Sequence, residues 1–216
     1  MKIYKIGDIP LSISCISDIL REETSIVLSA SAKKKVKLNK QYLDKKIEKS
    51  SKPIYGINTG FGSLCNHEID NDQLSKLQFN LVVSHACGTG DEVPKELVKI
   101  MILLKVQSLS LGHSGVQLDT INRLVEMFNN NILPVVYQQG SLGASGDLAP
   151  LAHLSLPLLA LGEVDVLDID GSFKRHSSKK ILKKMSWDPI KLQAKEGLAL
   201  LNGTQFMSAY GVWCLI

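Results

Sequence analysis

The chain has 216 residues, a formal net charge of +4 and 44% hydrophobic residues, so it accommodates one large domain or two small ones around a buried core. Its lysine-rich segments are interleaved with acidic residues and lack aromatic spacing, and no apolar run reaches bilayer-spanning length, which excludes a nucleic-acid platform and a membrane span. The cysteines are scattered without metal-ligand spacing and no secretory signal is predicted, so we expect a cytoplasmic protein with reduced thiols and no metal site.

Periodicity and chain-breaking residues predict a mainly α fold, a portion of a helical bundle with a small N-terminal α/β-like region and a short β-hairpin. The first 30 residues alternate short apolar runs with polar turns and include the β-prone segment Ser25–Leu28. Apolar residues at helical spacing predict helices over residues 31–49, 71–84, 94–111, 116–130 and 148–162, the last bent by Pro157. Asp170-Gly171 predicts a hairpin between segments 164–169 and 172–176. A final apolar helix is predicted over residues 195–216.

Two glycine-rich segments interrupt this helical pattern. The segment from Tyr55 to Gly62 contains three glycines in eight residues, which is too many for a helix interior and suits a backbone that approaches another group closely. Ser84-His85 ends a predicted helix before a second glycine-rich turn. Taken alone, Tyr55 is a tyrosine packed in a turn and His85 is a capping or core residue.

The segment 140–152 contains Ala144-Ser145-Gly146, three residues that are able to form an electrophile. The Gly146 nitrogen has no adjoining Cβ to shield it and is able to attack the carbonyl of Ala144, closing a five-membered ring. Loss of the Ser145 hydroxyl as water leaves an exocyclic methylidene on that ring, without pyridoxal phosphate or metal. By composition alone, such a loop before a helix is an ordinary turn.

An ordered set of motifs spans most of the chain, at residues 55–62, 84–85, 140–152 and 195–205. Together they resemble the histidine ammonia-lyases of the methylidene-imidazolone family of aromatic amino-acid lyases and aminomutases. The resemblance implies a carbon–nitrogen lyase of histidine catabolism that converts L-histidine to urocanate and ammonia without oxidation. It also implies a methylidene-imidazolone cofactor made from the chain itself.

The resemblance assigns roles to individual residues. Tyr55 matches the base that takes the β-proton of the substrate. Ser145 becomes the methylidene carbon, between Ala144 and Gly146. Asn202 lies beside the ring, and Gln205 belongs to the same substrate-binding segment.

Ser84 and His85 match the pair that contacts the substrate ring. An imidazole substrate has ring nitrogens whose hydrogen bonds must be met, and a neutral histidine both donates and accepts. A pocket that pairs with a polar ring rejects a phenyl ring strongly, so the pair favours histidine. A phenylalanine or tyrosine ammonia-lyase, a 2,3-aminomutase and an inactive fragment of such an enzyme stay open as alternatives.

The C-terminus is an apolar pattern without a cap, which is typical of the interior of a longer chain. We expect the N-terminal portion of a lyase, with a globular region at 1–112 and the start of the central bundle at 113–216. Family members are longer homotetramers whose carboxylate-binding arginine would lie beyond Ile216, so we expect the isolated chain to be inactive. Leu111 and His113 depart from the basic and aromatic residues usual in the family.

Overall fold

The computed structural model describes residues 2–22, 24–49, 54–59, 69, 73–140 and 146–216. Its helices are α1 (Ile13–Arg21), α2 (Ala30–Lys49), α3 (Leu74–His85), α4 (Lys95–Ser110), α5 (Leu118–Asn129), α6 (Leu148–Ser155), α7 (Ser178–Lys184), α8 (Glu196–Leu201) and α9 (Gln205–Leu215). Its strands are β1 (Ile3–Ile6), β2 (Ser25–Leu28), β3 (Thr89–Glu92), β4 (Ile132–Pro134), β5 (Tyr137–Gln139), β6 (Glu163–Leu167) and β7 (Phe173–Ser177). The predicted mainly α fold is confirmed. None of the described helices is long and apolar enough to cross a membrane.

The N-terminal region has the predicted α/β character. Strands β1 and β2 pair in parallel, with Ile3 opposite Ser25, and α1 forms the crossover that parallel strands require. Helix α1 begins after Ser12, whose hydroxyl accepts the Cys15 N–H at 3.2 Å. At nine residues, α1 is too short for the periodicity to have marked it in the sequence.

Helix α4 lies at the centre of the core and contacts both α5 and α9. Apolar side chains are buried around most of its circumference, as expected for a helix without a polar face. They are Leu97, Val98, Ile100, Met101, Ile102, Leu103, Val106 and Leu109. The core around them includes residues from Ile6 to Ala209. It therefore contains residues from both predicted regions, 1–112 and 113–216, and the division between those regions stays a prediction.

The predicted hairpin forms from β6 and β7, which pair in antiparallel register with Val164 opposite His176. Gly171 in its turn has φ +79°, a conformation that favours glycine. Strand β4 pairs with the other edge of β6, giving a three-stranded sheet.

Two predicted helices are wrong in extent. The helix predicted over 148–162 ends as α6 at Ser155 and continues only as a 3-10 turn, because Pro157 has no N–H to extend the α-helical bonding. The helix predicted over 195–216 is interrupted after Leu201, and α9 starts at Gln205. Gly203 between them has φ +145°, which no helix accommodates.

Candidate active site

A close contact between two glycines organises the site. Gly146 pairs with Gly203 in a parallel β-bridge, and the Asp147 N–H donates to the Gly203 carbonyl at 3.0 Å. A Cβ on Gly146 would lie 2.2 Å from that carbonyl oxygen, and its φ of +124° is one that side-chain-bearing residues rarely adopt. Only glycine therefore fits at position 146, beside the turn between α8 and α9. Ala144 and Ser145 lie outside the described residues.

Asp147 connects this glycine junction to two helices. Its backbone carbonyl accepts the Leu151 N–H at 3.1 Å, in the first turn of α6. Its carboxylate accepts the Met207 N–H at 3.1 Å, in the first turn of α9. Because the first N–H groups of a helix carry partial positive charge, a carboxylate is favourable there. Asp147 therefore holds the beginnings of α6 and α9 together at the junction.

Lys105 places a buried ammonium group beside the same junction. Its side chain donates to the backbone carbonyls of Ala199 and Asn202, each at 3.4 Å, and the residue is 2% exposed. Burial lowers the pKa of Lys105 to about 7, and attraction to Asp147 opposes that shift. Lys105 is not among the site residues predicted from the sequence. The signal that marks it is a lysine that follows the apolar run of residues 100–104 and is itself followed by Val106.

Asn202 and Gln205 flank Gly203 at the break between α8 and α9. The Asn202 N–H closes α8 by donating to the Leu198 carbonyl at 2.9 Å. The side-chain Oε1 of Gln205 is buried and has no hydrogen-bond partner among the residues that the structure describes. A buried acceptor of this kind is costly unless a further donor reaches it. The fold thus brings both predicted substrate-binding residues to the junction.

Tyr55 lies in a tight turn formed by residues 54–59. The Asn58 side chain accepts the Ile54 N–H at 2.6 Å, which closes the turn on itself. Asn58 and Thr59 are buried, whereas Tyr55 is 54% exposed. The turn therefore presents the tyrosine outward and does not pack it into the core.

Gln78 links the Tyr55 turn to the helix that leads to Asn202. This buried α3 residue donates from Nε2 to the Ile57 carbonyl at 3.4 Å and accepts the Gly197 N–H at Oε1 at 2.8 Å. Both ends of one amide are thus bonded, which ties the turn and α8 to α3. Gln78 is not among the residues predicted from the sequence, because one glutamine in a helical pattern is ordinarily an exposed residue.

The buried carboxylate of Glu196 fixes the start of α8. Its Oε1 accepts the Gln117 N–H at 3.1 Å and the Thr120 hydroxyl at 2.7 Å. Its Oε2 accepts the Gln117 side-chain amide at 2.7 Å and the Gln193 N–H at 2.8 Å. Burial raises the pKa of Glu196, and these four donors oppose the shift. Glu196 therefore anchors the segment before Asn202 to α5.

Ser84 and His85 form the last turn of α3. The Nδ1 of His85 lies 2.7 Å from the Leu81 carbonyl, so it is the nitrogen that carries the proton and donates. The Ser84 hydroxyl donates to the same carbonyl at 3.3 Å. This bonding fixes the imidazole orientation and makes Nε2 the acceptor nitrogen of the neutral ring. Helix α3 packs against α6, which begins beside the glycine junction, and against α8, which ends beside it.

His153 ties the turn after Ser84-His85 to α6. Its Nε2 accepts the Gly88 N–H at 2.9 Å, and the edge of its ring packs on Tyr137 with centroids 5.1 Å apart. Burial lowers the pKa of His153, which favours the neutral ring that this acceptor requires. In the described part of the chain, no three His, Cys, Asp or Glu side chains are grouped to hold a metal ion.

Leu111 and His113, which depart from the family pattern, lie in the turn between α4 and α5. Gly112 between them has φ +76°, and a Cβ there would lie 2.9 Å from the backbone of Lys35 on α2. The His113 carbonyl accepts the Lys195 ammonium at 3.2 Å. The departures therefore lie in a turn that packs on α2 and bonds to Lys195, the residue before α8.

Comparison with known proteins assigns the family. The model of the aromatic amino acid lyase family matches residues 11–216. A histidine ammonia-lyase from Legionella pneumophila is 47% identical over 210 residues, which are 95% of this chain and 39% of that protein. The crystal structure of histidine ammonia-lyase from Trypanosoma cruzi is 33% identical with a TM-score of 0.86, covering 100% of this chain and 40% of that one. Ergothionase from Treponema denticola, an ergothioneine-degrading enzyme, is 26% identical with a TM-score of 0.90, covering 99% and 42%.

The family match extends over nearly the whole chain, and the chain in turn spans about two fifths of the relatives' length. The matched region includes the glycine junction, the Tyr55 turn and the Ser84-His85 pair. This chain belongs to the aromatic amino acid lyase family.

Proposed function

We propose that this chain supplies the N-terminal part of an enzyme that removes ammonia from L-histidine to give urocanate. The observation that carries the proposal is the Gly146–Gly203 junction, which sets the end of the ring-forming segment against the turn containing Asn202. The relatives named histidine ammonia-lyase support the choice of substrate, and we expect the whole protein to be a cytoplasmic homotetramer.

Gly146 is the residue of Ala144-Ser145-Gly146 that the structure describes, and its backbone fits a methylidene-imidazolone ring. The Gly146 nitrogen would attack the Ala144 carbonyl carbon, so that a C–N bond forms and the carbonyl oxygen leaves as water. Ser145 would lose its Cα hydrogen and its hydroxyl as a second water. The positive φ of Gly146 and its contact with the Gly203 carbonyl both require a residue without a Cβ. The finished ring would supply an electrophilic carbon without metal or pyridoxal phosphate.

Tyr55 is the proposed base. The proton to be removed lies on the β-carbon of the substrate and is weakly acidic, so a positioned base has to act together with an electrophile. The Tyr55 side chain is presented by a turn whose geometry is fixed by Asn58 and, through Gln78, by α3 and α8. The two hydrogen bonds of the Gln78 amide therefore set the position of the base relative to α8, which leads to Asn202.

Ser84 and His85 are proposed to select the imidazole ring of the substrate. The Leu81 carbonyl accepts from the Ser84 hydroxyl and from His85 Nδ1, so His85 Nε2 is the nitrogen that would accept an imidazole N–H of the substrate. A phenyl ring has no N–H to donate to this acceptor, which is the proposed basis of discrimination against phenylalanine.

Part of the substrate site is expected outside this chain. A carboxylate that enters a dry site without a cation is costly, so binding of a free amino acid by residues 1–216 alone should fail. For this reason we expect the isolated chain to be inactive even where the ring has formed.

The test joins residues 1–216 to the remaining C-terminal part of the Legionella pneumophila histidine ammonia-lyase. We expect this chimera to convert L-histidine to urocanate, followed by ultraviolet absorbance, and to leave L-phenylalanine and L-tyrosine unchanged. Ser145→Ala is the matched control, which should fold and be inactive. Turnover of phenylalanine or tyrosine without urocanate would assign a different substrate, and a folded chimera that deaminates none of the three would contradict the proposal.

A further inference from the structure

We infer that Lys105 is a positioning residue, which holds the turn containing Asn202 and Gly203 in the place where the ring-forming segment meets it. This role rests on the proposed function, because the ring is what the turn would serve. It concerns a residue that touches neither substrate nor ring in the proposed chemistry.

The first observation is the geometry of the Lys105 ammonium. It donates to Ala199 and Asn202 at the C-terminal end of α8, each at 3.4 Å. The last carbonyls of a helix have no partner within the helix and carry partial negative charge, so a cation is favourable there. Lys105 thus bonds to one carbonyl in the last turn of α8 and to the carbonyl of Asn202, which immediately precedes Gly203.

The second observation is the opposite charge across the junction. The Asp147 carboxylate attracts Lys105 and at the same time accepts the Met207 N–H on α9. Asp147 also donates its own N–H to Gly203. The turn is therefore held on one side by a lysine from α4 and on the other by an aspartate next to Gly146.

The third observation is the unfavourable environment of the ammonium. Lys105 is 2% exposed on a helix whose other buried side chains, apart from Ser110 at its end, are apolar, and burial lowers its pKa to about 7. An apolar side chain of similar length would avoid the cost of burying a charge. The lysine is thus poorly explained by packing and well explained by the carbonyls and carboxylate that it faces.

The test compares two neutral variants, Lys105→Met and Lys105→Gln, with Lys105→Arg, which keeps the charge. Lys99→Met is the matched control, because Lys99 lies on the same helix and bonds to Asn131 at 2.6 Å, away from the junction. Hydrogen exchange is measured by mass spectrometry on peptides that contain Asp147 and Met207, with peptides of α5 as the internal reference. The fraction of the tryptic peptide 124–174 that has lost two waters is measured on the same samples.

We expect both neutral variants to exchange about tenfold faster at the Asp147 and Met207 peptides, with α5 unchanged, and to contain less of the dehydrated peptide. Lys105→Arg and Lys99→Met should match the unsubstituted chain in both measurements. Unchanged exchange in the neutral variants, an equal effect of Lys99→Met, or equal loosening of α5 would overturn the local role of Lys105. An unsubstituted chain without dehydration would contradict the proposed function, while the exchange data would still decide the role of Lys105.

Discussion

Substitution of Gly146 by alanine tests the close approach of Gly146 to the Gly203 backbone, which has no space for a Cβ. The new Cβ would lie 2.2 Å from the Gly203 oxygen and 2.8 Å from the Gly203 carbonyl carbon, which are backbone atoms that no rotamer change moves away. The residue would also keep φ +124°, a region that alanine rarely occupies. The turn at Gly203 must therefore shift, and the bond from the Asp147 N–H to Gly203 is lost with it.

The expected loss of stability follows from these two effects. A non-glycine residue in a sparsely populated region costs about 1–3 kcal/mol. Loss of one buried backbone hydrogen bond adds about 1 kcal/mol. We therefore expect Gly146→Ala to lower the free energy of unfolding by about 2–4 kcal/mol and to prevent dehydration of the segment.

Two other glycines supply matched controls, measured by urea unfolding. Gly171 has φ +79° with no atom within 4 Å of an added Cβ, so Gly171→Ala should show backbone strain alone, about 1–2 kcal/mol. Gly211 lies inside α9 with open space around it, so Gly211→Ala should stabilise the chain by about 0.5–1 kcal/mol. If Gly146→Ala lowers the free energy of unfolding no more than Gly171→Ala does, the close approach of Gly146 to Gly203 is contradicted.

The proposed base, the buried histidine and the last helix each give a separate expectation. Tyr55→Phe in the chimera should lower kcat by about 10²–10⁴-fold while the dehydrated peptide stays intact, and a rate near that of the parent would place the base elsewhere. Because burial lowers the pKa of His153, the unfolded state takes up the proton first as the pH falls below about 6.5. Stability measured by urea unfolding should therefore fall from about pH 7 to pH 5, and His153→Leu should reduce this slope; an unchanged slope would assign it to other groups. Met207 and Trp213 are 61% and 46% exposed on α9, so the isolated chain should elute above monomer size in size-exclusion chromatography, and replacing both by glutamate should reduce association. A monomeric parent chain would contradict the last expectation.

Elements with strong local patterns were predictable from the sequence. Helices α2, α4 and α5 follow the predicted ranges to within two residues at each end, because each has an apolar face and a clear stop. The hairpin was marked by Asp170-Gly171, whose turn chemistry is local. Two of the motifs, at residues 140–152 and 195–205, contain the glycines that pair in the structure.

The contacts that assemble the site depend on partners distant in sequence, and periodicity contains no information about them. The break between α8 and α9 occurs where Gly203 pairs with Gly146, whereas the apolar run by itself predicts one continuous helix. Lys105 and Gln78 are polar residues on helices, and only the tertiary packing shows that their partners are backbone groups distant in sequence. The predicted site residues were found through the family resemblance, whereas these two supporting residues required the structure.

The central claim is that Ala144-Ser145-Gly146 converts itself into an electrophilic ring. Mass spectrometry of the tryptic peptide 124–174 tests it most directly, because trypsin has no lysine or arginine to cut between Arg123 and Lys174. We predict a peptide lighter by two water molecules, with fragmentation placing both losses within residues 144–146, and an unmodified mass in Ser145→Ala. A folded chain whose peptide has the full mass of the sequence would contradict the account.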